Sequence, residues 1–236
     1  MVVYIILALI ILLAIAISIA NYAPSYFRAK YKKISHYKLD SNFTAGDFLL
    51  KIANDHNFSN LKLVKIVDGD IESCCFVPKS NTVYIDKKTV EDNSIASFAI
   101  VSHEFGHAIQ HNTNNLGFKL LNALSMISIY LGKLAFPCII VGVILMLLNI
   151  TNEYVGYGIC VAGAVLLTIT FLVRLITIKI EYQASDFGLE LLQKEGFNKK
   201  SLRLAKKLLR SAGLTYVGSF FASILSWTFL VPKYIN

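Results

Sequence analysis

The segment Val101-Ser102-His103-Glu104-Phe105-Gly106-His107-Ala108-Ile109-Gln110 sets two histidines four residues apart, with a glutamate directly after the first. On a helix, residues i and i+4 share a face, so both imidazoles can reach one cation. Glu104 lies between them and is the kind of group that takes a proton from a water held by such a cation. The surrounding residues favour a helix: Ser94 stands as a capping residue, Ile95, Ala96, Phe98, Ala99 and Ile100 give apolar positions, and no proline intervenes before Asn112.

Two histidines leave a catalytic metal site one protein ligand short. A third histidine six residues after His107 is excluded, because that position is Thr113 and the glycine position of the same pattern is Gln110. His111 lies about 80° round the helix from His103, an awkward angle for ligation from one straight helix. It reads better as a structural or surface residue. Glu181 is the preferred third ligand, on a helix leaving an apolar run after a helical hairpin that can return the chain to the histidines. Its bland alternative, an ion pair with Lys179 or Arg174, contributes little when exposed. Ser185, one turn after Glu181, and Asp186 are candidates to orient a ligand. Arg174, seven residues before Glu181, is a candidate to steady a substrate carbonyl or carboxylate, with snorkelling to the membrane interface as its ordinary explanation.

Composition places this motif in a membrane setting. Of the 236 residues, 55% are hydrophobic and 16% charged, and mean hydropathy is +0.57. A soluble domain carries about a quarter charged residues. The net charge of +8 comes from basic residues that flank apolar runs. They read as topology determinants, and no nucleic-acid partner is expected. The four cysteines imply no disulfide framework, which suits a reducing compartment for the hydrophilic part. Cys74 and Cys75 read as ordinary thiols.

Taken in order, residues 1–20 form an N-terminal transmembrane anchor, with the apolar run Val2 to Ala20. The run is too long for a signal-peptide core and lacks a positive segment before it. Arg28, Lys30, Lys32, Lys33 and Lys38 follow and should stay cytoplasmic. Residues 21–115 read as a soluble α+β domain. It contains a capped helix from Thr44 to Ala53, a strand from Leu61 to Val67 with a turn at Asp68-Gly69-Asp70, and a strand from Thr82 to Asp86. An edge strand at this last position would either hold an extended peptide by strand addition or be purely structural.

Residues 116–178 read as a helical transmembrane hairpin. Leu116 to Leu131 lies along the membrane or begins the next span; Leu134 to Ile150 and Val155 to Val173 are spans, joined by a link without Lys or Arg. Residues 179–212 hold the third-ligand helix and a basic amphipathic helix. The latter carries Leu202, Ala205, Leu208, Leu209 and Ala212 on one side and Arg203, Lys206, Lys207 and Arg210 on the other. That face suits anionic headgroups, or the helix packs on the soluble domain. Residues 213–236 form the last transmembrane helix, with an apolar run from Leu214 to Val231. The expected fold is thus a membrane α-helical protein of about four spans with a small cytoplasmic α+β zincin-like domain. Both termini lie outside, and Cys138 and Cys160 fall near opposite membrane faces.

The segment from His103 to Gln110, with Glu181-Tyr182-Gln183-Ala184-Ser185, resembles the bacterial membrane zinc metallopeptidases of the YugP type. Leu208 to Val217 looks like that family's third recurring block. More distantly, the chain is similar to the HtpX-like and prenyl-protein endopeptidases, where the third Glu also lies on a later helix. Ser185 stands where those relatives have Asp, so their ligand surroundings do not carry over. Cys74-Cys75-Phe76-Val77-Pro78 departs from a more polar His/Tyr-Asp-Pro pattern, which implies a different specificity if the segment touches substrate. The resemblance implies Zn²⁺ held by His103, His107 and Glu181, and peptide hydrolysis with Glu104 as the proton acceptor. It also implies protein or peptide substrates, the lipid bilayer as a partner, and a multi-pass place in the plasma membrane. The alternative from another class is a non-catalytic membrane protein with a structural metal site.

Overall fold

The computed structural model describes residues 2–39, 42–58, 60–66, 74–113, 116–149 and 152–225. In chain order these are α1 (Val2–Ile34), α2 (Ala45–His56), β1 (Lys62–Ile66), β2 (Cys75–Val77), β3 (Thr82–Asp86), α3 (Lys87–Glu91), α4 (Ile95–Asn112), α5 (Leu116–Leu147), α6 (Glu153–Lys194) and α7 (Lys199–Leu225). The protein is mostly helical with one small sheet. It divides into two compact units, the described parts of 1–24, 120–178 and 215–236, and those of 25–119 and 179–214.

The first unit is apolar. In it α5 and α6 approach so closely that only glycine fits at the seam. A Cβ on Gly163 would lie 2.7 Å from the Ala135 carbonyl oxygen, and one on Gly142 2.7 Å from that of Gly156. Large side chains such as Val141, Ile144, Val165 and Leu172 face outward. Such a surface is stable in lipid and costly in water. Among the described residues, the helices from Tyr130 to Leu147 and from Tyr154 onward are long and apolar enough to cross a membrane.

Several expectations change here. Leu116 to Leu131 belongs to one helix with the span that follows, and that helix carries Pro137 in its interior. Cys138 and Cys160 do not lie at opposite ends. The Cys160 thiol is 3.5 Å from the carbonyl of Ile139, because the two cysteines are about equally far from the hairpin turn. Both thiols are free. The helix that holds the first apolar run also continues without a break, through Pro24, to Ile34. The end of the Leu214 to Val231 run lies outside the described residues.

The second unit carries the sheet, in the order β1-β3-β2, with β1 parallel and β2 antiparallel to β3. Thr82–Asp86 is therefore the central strand, not an edge. A short sequence window shows alternation but not which neighbours a strand acquires. The edge next to α4 is β2. The turn expected at Asp68-Gly69-Asp70 lies outside the described residues.

Thr44 caps α2 in a reciprocal box with Asp47, as the sequence suggests. Phe48, Phe98 and Phe197 meet edge to face, with centroids 5.0 to 6.2 Å apart, and tie α2 and α4 to the turn after α6. Ala205, Leu208 and Leu209 of α7 are buried while Arg203, Lys206, Lys207 and Arg210 are exposed. The apolar face of that basic helix packs within this unit, so only its charged face is available to anything else.

Candidate metal centre

α4 begins where Ser94 accepts a hydrogen bond from the Ser97 amide. The Asp92 carboxylate accepts from both serine hydroxyls, at 2.6 and 2.7 Å, and pairs with Lys38. This fixes the start of α4, and the next turns bury Phe98, Ala99, Val101 and Phe105 completely. The face that remains carries His103, Glu104 and His107.

α6 crosses this helix at van der Waals contact. A Cβ on Gly106 would lie 2.3 Å from the Ala184 carbonyl oxygen, and one on Gly188 2.9 Å from that of Ser102. No larger residue permits that separation. The approach delivers Glu181: its Oε2 lies 3.2 Å from His103 Nε2 and 3.3 Å from His107 Nε2. These are the residues among those described that can share one ion.

Each imidazole is held from behind. His107 Nδ1 is 2.9 Å from Gln110 Oε1, and His103 Nδ1 is 3.1 Å from the Ser185 hydroxyl, which donates to the Glu181 carbonyl at 2.9 Å. The Ser185 proton is committed, so its oxygen accepts from His103 Nδ1–H. Both Nε2 atoms then face Glu181, and they are the nitrogens left to ligate a cation. Burial alone would raise the Glu181 carboxyl, but the charge of His107 and hydrogen bonds from both histidines hold it far below the usual carboxylate range. Burial opposes charging of His107, yet Glu181, Glu104 and Gln110 together raise it to about 9. A cation must displace the Nε2 proton to bind there.

Glu104 sits beside the triad. One carboxylate oxygen accepts the Phe76 amide of β2 at 2.8 Å. Burial pushes its carboxyl up, and the Glu181 charge adds to that, against opposing effects of the two histidines and the amide. A carboxyl raised in this way holds a proton more readily than an exposed one.

Other sequence candidates fall elsewhere. Asp186 is exposed and lies 3.6 Å from Arg210, which also stacks over Tyr182, so it does not orient a ligand. His111 packs against Phe76 and Phe118, in keeping with a structural role. Arg174 lies two turns before Glu181 on α6, in the apolar unit, half-buried. Gln110, Gly106 and Gly188 were not anticipated. Their available signals were a polar residue on an otherwise apolar helix face and glycines inside helical patterns.

The family model described as "Putative neutral zinc metallopeptidase" matches residues 8–232. The chain belongs to this family. It is also similar to the "Putative membrane protease YugP" of Bacillus subtilis (strain 168), at 23% identity over 222 residues, covering 94% of each chain. No solved structure matches. Family membership implies zinc, and the donor set fits it. With bonds of about 2.0–2.1 Å, two ligands of a tetrahedral zinc lie roughly 3.3 Å apart. The observed Nε2 to Oε2 separations are 3.2 and 3.3 Å.

Proposed function

We propose that the protein is a membrane-embedded zinc endopeptidase in which His103, His107 and Glu181 hold the metal and Glu104 moves the protons. The observation that carries this reading is the set of Nε2 to Oε2 separations, which match the edges of a zinc tetrahedron. When bound, zinc polarises the scissile carbonyl and makes water a nucleophile near neutral pH. Glu104 takes the water proton and later delivers it to the leaving amine. The Phe76 amide holds one Glu104 oxygen in place, so the carboxylate stays beside the triad.

The substrate is a protein or peptide. β2, as the edge strand touching Glu104, is the place where an extended segment would add to the sheet. In this reading α1, α5, α6 and α7 each cross the bilayer once. The basic residues from Arg28 to Lys38 keep the second unit in the cytoplasm and both termini outside.

The test uses full-length protein in detergent with labelled casein as probe. Glu104→Gln should retain zinc while cleavage falls about 10²–10⁴-fold, the usual contribution of a positioned proton-transfer group. Undiminished proteolysis by Glu104→Gln removes the mechanism.

A further inference from the structure

Gln110 is completely buried, although it lies on the helix that carries the metal-site histidines. Burying an amide this deeply is costly unless its polar atoms are paired. Its Nε2 lies 3.0 Å from the backbone carbonyl of Ile180 and 3.3 Å from Gln183 Oε1. The Ile180 carbonyl can only accept, so the NH₂ end faces α6 and Oε1 faces His107. The amide cannot flip without setting oxygen against oxygen.

This single side chain therefore does two things. It obliges His107 Nδ1 to carry a proton, which leaves Nε2 as the nitrogen that can ligate. It also latches α4 to α6 one residue before Glu181. The Ser185 hydroxyl makes a parallel arrangement at the next carbonyl, that of Glu181, and accepts from His103. Consecutive α6 carbonyls thus anchor the partners of both imidazoles, and the second of those residues supplies the third ligand.

We propose that Gln110 is the positioning residue that sets the metal affinity of this centre by fixing the His107 tautomer, while its bond to the Ile180 carbonyl serves the stability of the α4–α6 seam. The inference rests on the zinc reading given above. Two substitutions separate positioning from mere filling of space. Gln110→Met keeps the volume and loses the acceptor for His107. Gln110→Glu keeps an acceptor for Nδ1–H and loses the donor to Ile180. A carboxylate behind a ligating histidine supports zinc binding well.

The measurement is zinc affinity of the full-length protein in detergent, by competition with a chromophoric chelator, beside the thermal midpoint of the metal-stripped protein. Gln110→Met should weaken zinc about 10–100-fold, the range found for partners that orient ligands, and Gln110→Glu should stay within a few-fold of wild type. The midpoints should run the other way, with Gln110→Glu the less stable because a charge enters a closed site. A purely structural role predicts that affinity follows the midpoints, and that result would overturn the proposal. Wild-type protein that binds no zinc instead defeats the metal reading itself. Should neither variant fold, ¹⁵N shifts of the imidazoles in wild type decide the matter. They should show His107 protonated at Nδ1, and a proton confined to Nε2 would refute the assignment.

Discussion

Two helix seams in this molecule are built with the same device and differ in what they bring together. Between α4 and α6, Gly106, Ala184 and Gly188 allow backbone contact, and the polar groups His103, His107, Gln110, Glu181 and Ser185 converge at that contact. Between α5 and α6, Gly142, Gly156 and Gly163 allow the same closeness, yet the surroundings are apolar and the outward faces carry large aliphatic side chains. Small residues alone therefore specify proximity. Chemistry appears only where the sequence also places titratable groups at the seam, with partners that make their burial tolerable.

The contrast predicts a graded series of effects. The largest belongs to Gly106→Val. Its new side chain meets the Ala184 backbone, which cannot yield, so the helices must part and the Nε2 to Oε2 separations open. Zinc affinity should fall more than about 100-fold, beyond the range of outer-sphere changes. Near-normal binding would mean that the close approach is incidental.

Gly163→Ala should lower the thermal midpoint through overpacking, at a cost of about 1–3 kcal/mol, while folded protein keeps its zinc affinity. An equal loss of affinity there would show that the two seams act as one.

Asp92→Asn is expected to have a smaller effect, about 1 kcal/mol at neutral pH, because Asp92 is partly exposed and its Lys38 pair is screened. Burial raises the Asp92 carboxyl, but hydrogen bonds from Lys38, Ser94 and Ser97 outweigh it and the net shift is downward. Its contribution is thus complete above the unfolded value, near 4, and vanishes as pH falls through the lower folded value. In acid unfolding the wild-type and Asp92→Asn curves should converge below that point. A constant gap down to the lowest pH would contradict this. Gly158→Ala should matter least, within about 0.5 kcal/mol, since nothing beyond its own turn of helix lies within 4 Å of the added methyl.

The parts legible in the sequence were those encoded locally. The four-residue spacing of His103 and His107, the Ser94 and Thr44 caps and the apolar runs each depend on neighbours within a turn or two. Glu181 was within reach because a carboxylate at the mouth of a long apolar helix has few good uses. Gln110 was not, since its role depends on a carbonyl at residue 180 that no short window contains. The order of the sheet failed for the same reason: Thr82–Asp86 becomes central only when Cys75–Val77 and Lys62–Ile66 arrive on either side. Asp186, adjacent in sequence to the serine that meets His103, points to Arg210 because consecutive helix positions diverge by about 100°.

The most direct test of the centre is zinc stoichiometry, with X-ray absorption, on purified wild type, Glu104→Gln and Glu181→Gln. The geometry predicts one zinc per chain in the first two, with nitrogen and oxygen ligands only, and its loss in Glu181→Gln. Full zinc occupancy and an unchanged coordination shell in Glu181→Gln would show that α6 does not supply the third ligand.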